Sequence, residues 1–261
     1  MAQLEFDENL VDALEVLYHR RDVLRRRRLV LDALDAQLGE RVLDVGCGPG
    51  FYVSDLLRLV GPRGWVTGID TAPAMLSAAI KRTEGHPNLT FRQAGATDMP
   101  ATDGEFDALM SVQVLEYVPD IAGALAEFYR VLRPGGRVVI WDVDWPTVSW
   151  RSREPDRMSR VLAAWDKHLS HPALPQTLAG ELGKAGFDSV SVDGHAFVST
   201  DLNPDTYGGA LVDVIVDYAV KRGGIDPDDA RAWQSEQREL NVTGEFYFAC
   251  VQCCFTARKP E

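Results

Sequence analysis

Cysteine is scarce in this chain: there are four in 261 residues, three of them crowded into the segment CVQCC at residues 250–254. So few give no disulfide framework for a chain of this size, and reduced thiols in a cytoplasmic home are expected. Long hydrophobic runs are missing too, and no apolar stretch approaches the roughly 20 residues that a membrane helix needs. The opening MAQLEFDENL carries neither a positive n-region nor an apolar h-region, so a soluble, unexported protein with no membrane partner is expected. Positive charge is in deficit, with 27 Lys and Arg against 39 Asp and Glu and a net charge of −12. A surface of that sign repels a phosphate backbone over most of its area, which excludes nucleic acid as a default partner. One dense basic run, RRDVLRRRR from Arg20 to Arg28, reads as a solvated helix face, because on a helix its charges spread around several sides.

What is present is alternation. A hydrophobic content of 46% is enough for a sizeable core, either one large α/β domain or one domain with an elaboration. β-Rich runs occur at RVLDV, WVTGID, LTFRQA, FDALMSV and RVVIWDVD, separated by helical or connecting segments, a spacing that predicts parallel βαβ units. Upstream, Leu10, Leu14, Leu17 and Leu24, Leu31, Leu34 recur at helical spacing, so residues 1–38 form an expected helical cap on a domain spanning 39–261. Downstream, helices are expected near 156–170 and 175–185, a strand near 187–199, a helical insertion at about 201–240 and a last strand near 245–257.

Gly46, Gly48 and Gly50 follow the first strand and precede a helix, which lets the chain turn tightly and bring bare backbone against a ligand. Their G-x-G-x-G spacing differs from the G-x-G-x-x-G of dinucleotide folds, and Asp44 stands two residues before the first glycine. A carboxylate there gains nothing from a pyrophosphate but attracts a cation. Asp70, twenty residues after Gly50, ends the second strand, where an acid accepts from two ribose hydroxyls. A nucleoside carrying positive charge fits both acids.

On the motifs VLDVGCGPG, GIDTAPAML, GATDMPATDGEFDALMSVQVLEYVPD and RVLRPGGRVVI, residues 38–145 closely resemble the class I S-adenosylmethionine-dependent methyltransferases, in particular the small-molecule branch of ubiquinone-biosynthesis and natural-product enzymes. The resemblance implies a Rossmann-like, seven-stranded, mostly parallel sheet with an antiparallel last strand, and S-adenosylmethionine as methyl donor. It also implies that Asp44 with the backbone of Gly46 and Gly48 holds the methionine moiety, with Cys47 and Gly50 completing the loop. Asp70 then binds the ribose beside Thr71 and Met75. Asp98 and Met99 take the adenine, with Ala96 and Thr97 shaping that wall, and Val112 and Gln113 lie near the sulfonium. For Cys47 the residue-level reading is a small filler.

Methyl transfer needs in-line alignment, and a base only when the nucleophile is protonated. Candidate catalytic groups at the ends of the fourth and fifth strands are Glu116, Tyr117, Asp142 and Asp144; many relatives carry a His pair where this chain has Glu116 and Tyr117. Alternation puts Trp141, Val143 and Trp145 on one face of the fifth strand and the two aspartates on the other. Acids beside Trp145, Trp150 and Tyr117 lean toward a nitrogen nucleophile, an amine or imidazole, with oxygen or carbon methylation as the alternative.

Acceptor contacts are expected from the variable segments. Tyr18, next to His19, and Tyr207 stand in the candidate lids; Tyr18 is also a candidate cofactor contact, and Trp145, His171 and Tyr207 are candidate acceptor contacts. His168 and His171 lack the Cys or acid partners of a metal site, so no metal is expected. CVQCC suggests a thiophilic acceptor such as arsenite, but Cys253 and Cys254 face opposite ways in a strand and read as buried apolar residues. Two other classes stay open: a nicotinamide-dependent oxidoreductase, disfavoured by the glycine spacing and Asp44, and an S-adenosylmethionine-binding protein that transfers no methyl group.

Overall fold

The computed structural model describes residues 8–261; residues 1–7 of the expected cap, and the side chain of Leu10, lie outside the described residues. Seven strands form one sheet in the order β3-β2-β1-β4-β5-β7-β6: β1 Arg41–Val45, β2 Trp65–Asp70, β3 Leu89–Gln93, β4 Phe106–Val112, β5 Leu132–Trp150, β6 Asp188–Ser199 and β7 Phe248–Arg258. β7 enters between β5 and β6 and runs antiparallel to both, whereas β1 to β5 pair in parallel. This is the Rossmann-like sheet with an antiparallel last strand that the resemblance implies.

Nearly every residue of β1 and β4 is buried, because helices cover both faces of a parallel sheet. Val42, Ala108, Met110, Val139 and Trp141 belong to one core, and Leu43, Leu109, Val138 and Ile140 to the other, as the two-residue period of a strand requires. The first core takes α2 Arg21–Leu34 and α3 Phe51–Val60; the second takes α5 Ile121–Val131 and α7 Pro175–Lys184. The remaining helices are α1 Glu8–Leu17, α4 Pro73–Arg82, α6 Pro155–Trp165, α8 Tyr207–Tyr218 and α9 Pro227–Val242. β5 is longer than its sequence suggests. It takes in the RPGG turn as an irregularity, pairing Leu132 with Phe106 and Arg137 with Ala108, and it continues past a second irregularity to Trp150.

The basic run departs from the expected solvated face at Arg26: Arg21, Arg25 and Arg28 are exposed, whereas Arg26 is buried. α2 buries the stripe Asp22, Val23, Arg26, Val30 and Leu34, while Leu24 of the expected leucine stripe is exposed. Burial of a side chain such as Val30 or Leu34 contributes about 1.5–3 kcal/mol, enough to seat the helix on the sheet with one arginine turned inward. Arg27 pairs with Asp55 of α3 at 2.5 Å, and the Arg25 guanidinium lies over the Phe197 ring at 5.2 Å.

Candidate functional site

The β1–α3 loop lies at the carboxyl ends of β1 and β2. Its glycines take φ of +72°, +51° and +81° at Gly46, Gly48 and Gly50, a region that side chains rarely enter. Each answers to a different neighbour. A Cβ on Gly46 would drive into Val114, and one on Gly50 would come 2.8 Å from Cβ of Ala79 on α4. A Cβ on Gly48 would point into open space, which is what a backbone cradle for a ligand presents. Gly46 and Cys47 both donate N–H to the carbonyl of Ile69, at 2.8 and 2.9 Å, tying the loop to β2. Cys47 is buried beside Gly68 and its thiol is pushed up by that burial, consistent with a filler.

Two acids converge there. Asp70 receives the Gly48 N–H on Oδ2 and the Ala72 N–H on Oδ1, both at 2.9 Å. Asp44 is buried, its Oδ2 has no hydrogen-bond partner, and burial followed by the charge of Asp70 pushes its pKa up to about 8. An orphaned buried carboxyl is costly unless something pairs with it, and an ammonium or sulfonium would do so. The residues therefore fit a cationic nucleoside: a paired acid at the ribose position, an unpaired acid at the cationic end and an open glycine between them. Met75 is buried, as are Ala96 and Met99, whereas Thr71, Thr97 and Asp98 stand exposed at the loop rim. Tyr18 stacks on Phe51 of α3 with ring centres 4.6 Å apart, and its phenol feels both Asp44 and Asp70. His19 instead turns outward, its Nδ1 2.7 Å from the Glu15 carbonyl oxygen.

Beyond β4 lies a second group of polar residues. Gln113 adopts φ +53°, and this strained turn aims its amide between two helices. Its Oε1 accepts from Arg26 of α2, and its Nε2 donates to the Tyr207 hydroxyl of α8 at 3.3 Å. Glu116 and Tyr117 lie in a 3-10 turn, Leu115–Tyr117. Glu116 is fully buried, with Oε2 accepting from Trp145 Nε1 at 2.7 Å and Oε1 without a partner. Asp142 is buried beside it, its carboxyl facing the backbone N–H groups of Val114 and Glu116 and making no side-chain hydrogen bond among the described residues. Burial first, and then the charge of Glu116, holds Asp142 well above the carboxylate range; Glu116 is raised by burial. The two carboxyls form one titrating unit in which at least one proton is retained near neutrality.

Some sequence expectations need correction. Asp144 shares a strand face with Asp142 but accepts from Gln176 of α7 at 3.0 Å, outside the Glu116 pocket, so the acid paired with Asp142 is Glu116. His171 points to the Pro119 carbonyl oxygen at 3.0 Å. The inward histidine is His168, buried among Trp145, Trp165, Tyr117 and Tyr218, with Nε2 unpartnered and its pKa lowered to about 4 by burial. Trp150 packs on Trp233 and Phe248 instead of near the acids. Arg26 went unnoticed within the arginine run, and a helical projection anchored on Val23, Val30 and Leu34 would have found it. Cys253 and Cys254 pack into opposite cores, as alternation predicts. No cluster of metal-binding groups occurs among the described residues, and none of their helices is long and apolar enough to cross a membrane.

Residues 43–140 match the family model described as methyltransferase domain. The chain is 43% identical over 166 residues to an uncharacterized 37.1 kDa protein in transposon TN4556 of Streptomyces fradiae, covering 62% of this chain and 46% of that protein. It is 35% identical over 122 residues to the demethylmenaquinone methyltransferase of Staphylococcus carnosus, covering 47% and 51% respectively. The chain thus spans about half the length of these relatives. Phosphoethanolamine N-methyltransferase 2 of Haemonchus contortus, solved with phosphomonomethylethanolamine and S-adenosylhomocysteine, superposes with a TM-score of 0.65 at 16% identity over 99% of this chain and 61% of that one, a likeness of fold. The strand order, the glycine loop and its two acids agree with that match, which makes residues 43–140 a methyltransferase domain.

Proposed function

We propose that this protein transfers a methyl group from S-adenosylmethionine to a small-molecule acceptor held between α2, α8 and the ends of β4 and β5. The observation that carries this reading is the open Gly48 backbone flanked by the unpaired carboxyl of Asp44 and the oriented carboxylate of Asp70. Asp44 and the Gly46–Gly48 backbone would hold the methionine moiety, and Asp70, Thr71 and Met75 the ribose. Ala96, Thr97, Asp98 and Met99 would hold the adenine, with Val112 and Gln113 toward the sulfur and Tyr18 over the loop. Gly50 serves helix packing on Ala79. S-adenosylmethionine supplies a methyl group already attached to a good leaving group, so alignment contributes most of the acceleration.

Glu116, as the carboxylate of the pair, takes the proton of the nucleophile and becomes neutral, while Asp142 keeps the proton it already holds; Tyr117 and Trp145 hold Glu116 in place. Arg26 changes the balance between nucleophiles, because a buried guanidinium repels an arriving ammonium. A hydroxyl, which needs a base and brings no charge, suits the pocket better than the amine or imidazole expected from the acids alone. Residues 201–240 and the N-terminal helices would form the lid. Titration with S-adenosylhomocysteine, with NADH as the control, tests the cofactor assignment. Transfer of labelled methyl to a panel of small phenols, hydroxy acids and amines tests the reaction, and cofactor binding without transfer to any of them would favour a binding protein.

A further inference from the structure

Arg26 carries the least compensated charge in the site. It is 2% exposed, makes no ion pair with any described residue, and leaves Nε without a hydrogen-bond partner, while Nη1 donates to Gln113 Oε1. The Tyr52 hydroxyl lies beside the guanidinium, and those of Tyr18 and Tyr207 lie within reach of its charge. Burying a cation without a counter-ion is unfavourable, and a planar fork of five donors fits the paired oxygens of a carboxylate or phosphate. Its charge reaches Glu116, Asp142 and Tyr207 on one side and Tyr18 and Tyr52 on the other. The hydrogen bonds through Gln113 to Tyr207 at the start of α8 set the fork toward the acceptor half of the site.

We propose that Arg26 is the anion anchor of the acceptor pocket, binding a carboxylate or phosphate group of the substrate through the donors that Gln113 leaves free. The strained turn at Gln113 fixes one edge of the guanidinium, and Tyr207 fixes Gln113, so the fork is oriented before the acceptor arrives. The substrate class is a small hydroxylated acid, with its anionic group on Arg26 and its hydroxyl toward Glu116. This assignment rests on the methyl-transfer reading above.

The test uses the full chain saturated with S-adenosylhomocysteine, and fluorine NMR of 4-fluorobenzoate, monofluorophosphate and, as an uncharged control, 4-fluorobenzyl alcohol. At least one of the two anions should bind saturably, and which one binds distinguishes a carboxylate from a phosphate substrate. R26Q should weaken that anion tenfold or more, and R26K, which keeps the charge but not the fork, several-fold; neither should change the affinity for S-adenosylhomocysteine more than about twofold. If R26Q does not fold, the R26K arm and the wild-type anion arm still decide. The anchor is overturned if neither anion binds the wild type, or if both variants bind the anion as the wild type does. It is also overturned if R26Q loses S-adenosylhomocysteine while retaining 5′-methylthioadenosine, which would put the fork on the methionine carboxylate of the cofactor. Failure of the wild type to bind S-adenosylhomocysteine at all would bring down the methyl-transfer reading itself.

Discussion

The carboxylate of Asp70 accepts the backbone N–H of Gly48 at 2.9 Å, joining the end of β2 to the loop that follows β1. The same carboxylate takes the Ala72 N–H, so it is oriented before any ligand arrives. Asp70→Ala removes both the ribose acceptor and a loop tie. Charge-assisted hydrogen bonds of this kind are worth about 1.5–3 kcal/mol each, so affinity for S-adenosylhomocysteine should fall by roughly 10²-fold or more. Calorimetric titration checks this, and an unchanged dissociation constant in a folded variant excludes Asp70 from the ribose contact.

Asp44 makes cofactor binding depend on pH. Its pKa of about 8 in the free protein means that it is largely protonated at neutrality, and a cationic ligand favours the ionised form. Binding therefore releases a proton, and affinity should rise between pH 6 and 8 by up to about tenfold per pH unit, then level off. Asp44→Asn should flatten that profile. The sign for folding is the opposite. A carboxyl raised in the native state binds more protons than in the unfolded chain, so the ligand-free protein should lose stability as pH rises from about 4 to 8. Thermal unfolding across that range, with and without S-adenosylhomocysteine, separates the two effects.

Neighbouring glycines should fail in different ways. Gly50→Ala forces a methyl against Ala79 at 2.8 Å with φ +81°, and overpacking of this kind costs about 1–3 kcal/mol, lowering the melting temperature. Gly48→Val meets open space in the free protein, so its folding cost is mainly the backbone's, about 1–2 kcal/mol, whereas ligand affinity should be lost. Measuring unfolding and binding on the same pair of variants tests the division. Equal losses of affinity would contradict it.

Glu116→Gln keeps an acceptor for Trp145 Nε1 but cannot take a proton. Single-turnover methyl transfer should drop by roughly 10²-fold or more with cofactor affinity unchanged. Asp142→Asn should lower the rate in the same direction. Asp144→Asn, whose partner is Gln176, should transfer at nearly the wild-type rate. A slow Asp144 variant beside a normal Glu116 variant would reverse the assignment.

The two proposed lid segments are joined by a hydrogen bond. Asp22 of α2 accepts the Tyr207 N–H at the start of α8 at 2.8 Å. Asp22→Ala should therefore speed hydrogen exchange in the first turn of α8 well beyond its effect on β4, and S-adenosylhomocysteine should slow exchange in both helices. Identical exchange with and without ligand would argue against closure.

The sheet and the glycine loop with its two acids were legible because each of their signals is local. Strand, acid and glycine turn lie within a few residues at Asp44–Gly50, and strand and acid again at Trp65–Asp70; the positive φ of Gly46, Gly48 and Gly50 demands that residue type. Trp141 and Asp142 were assigned to opposite faces by a period that holds whatever packs against them. The polar group around Glu116, Gln113 and Arg26 was not legible for the converse reason. Whether an arginine in RRDVLRRRR is solvated depends on which stripe of α2 meets the sheet, and apolar neighbours choose that stripe: Val23 and Val30 carry Arg26 inward with them. His168 and His171 were exchanged because a 3-10 turn, Asp166–His168, replaces the end of the expected helix and rotates the chain between them.

That contrast has a consequence for how this protein can diverge. On the proposed reading the cofactor half would come mainly from one continuous stretch, residues 44–99, whereas the acceptor half would be collected from α2, the turn after β4, β5 and the start of α8. A single substitution at Arg26 or Tyr207 should therefore alter what is methylated without disturbing the donor. Descendants of such a chain can take up new metabolites by drift in the peripheral helices while the central motif stays frozen.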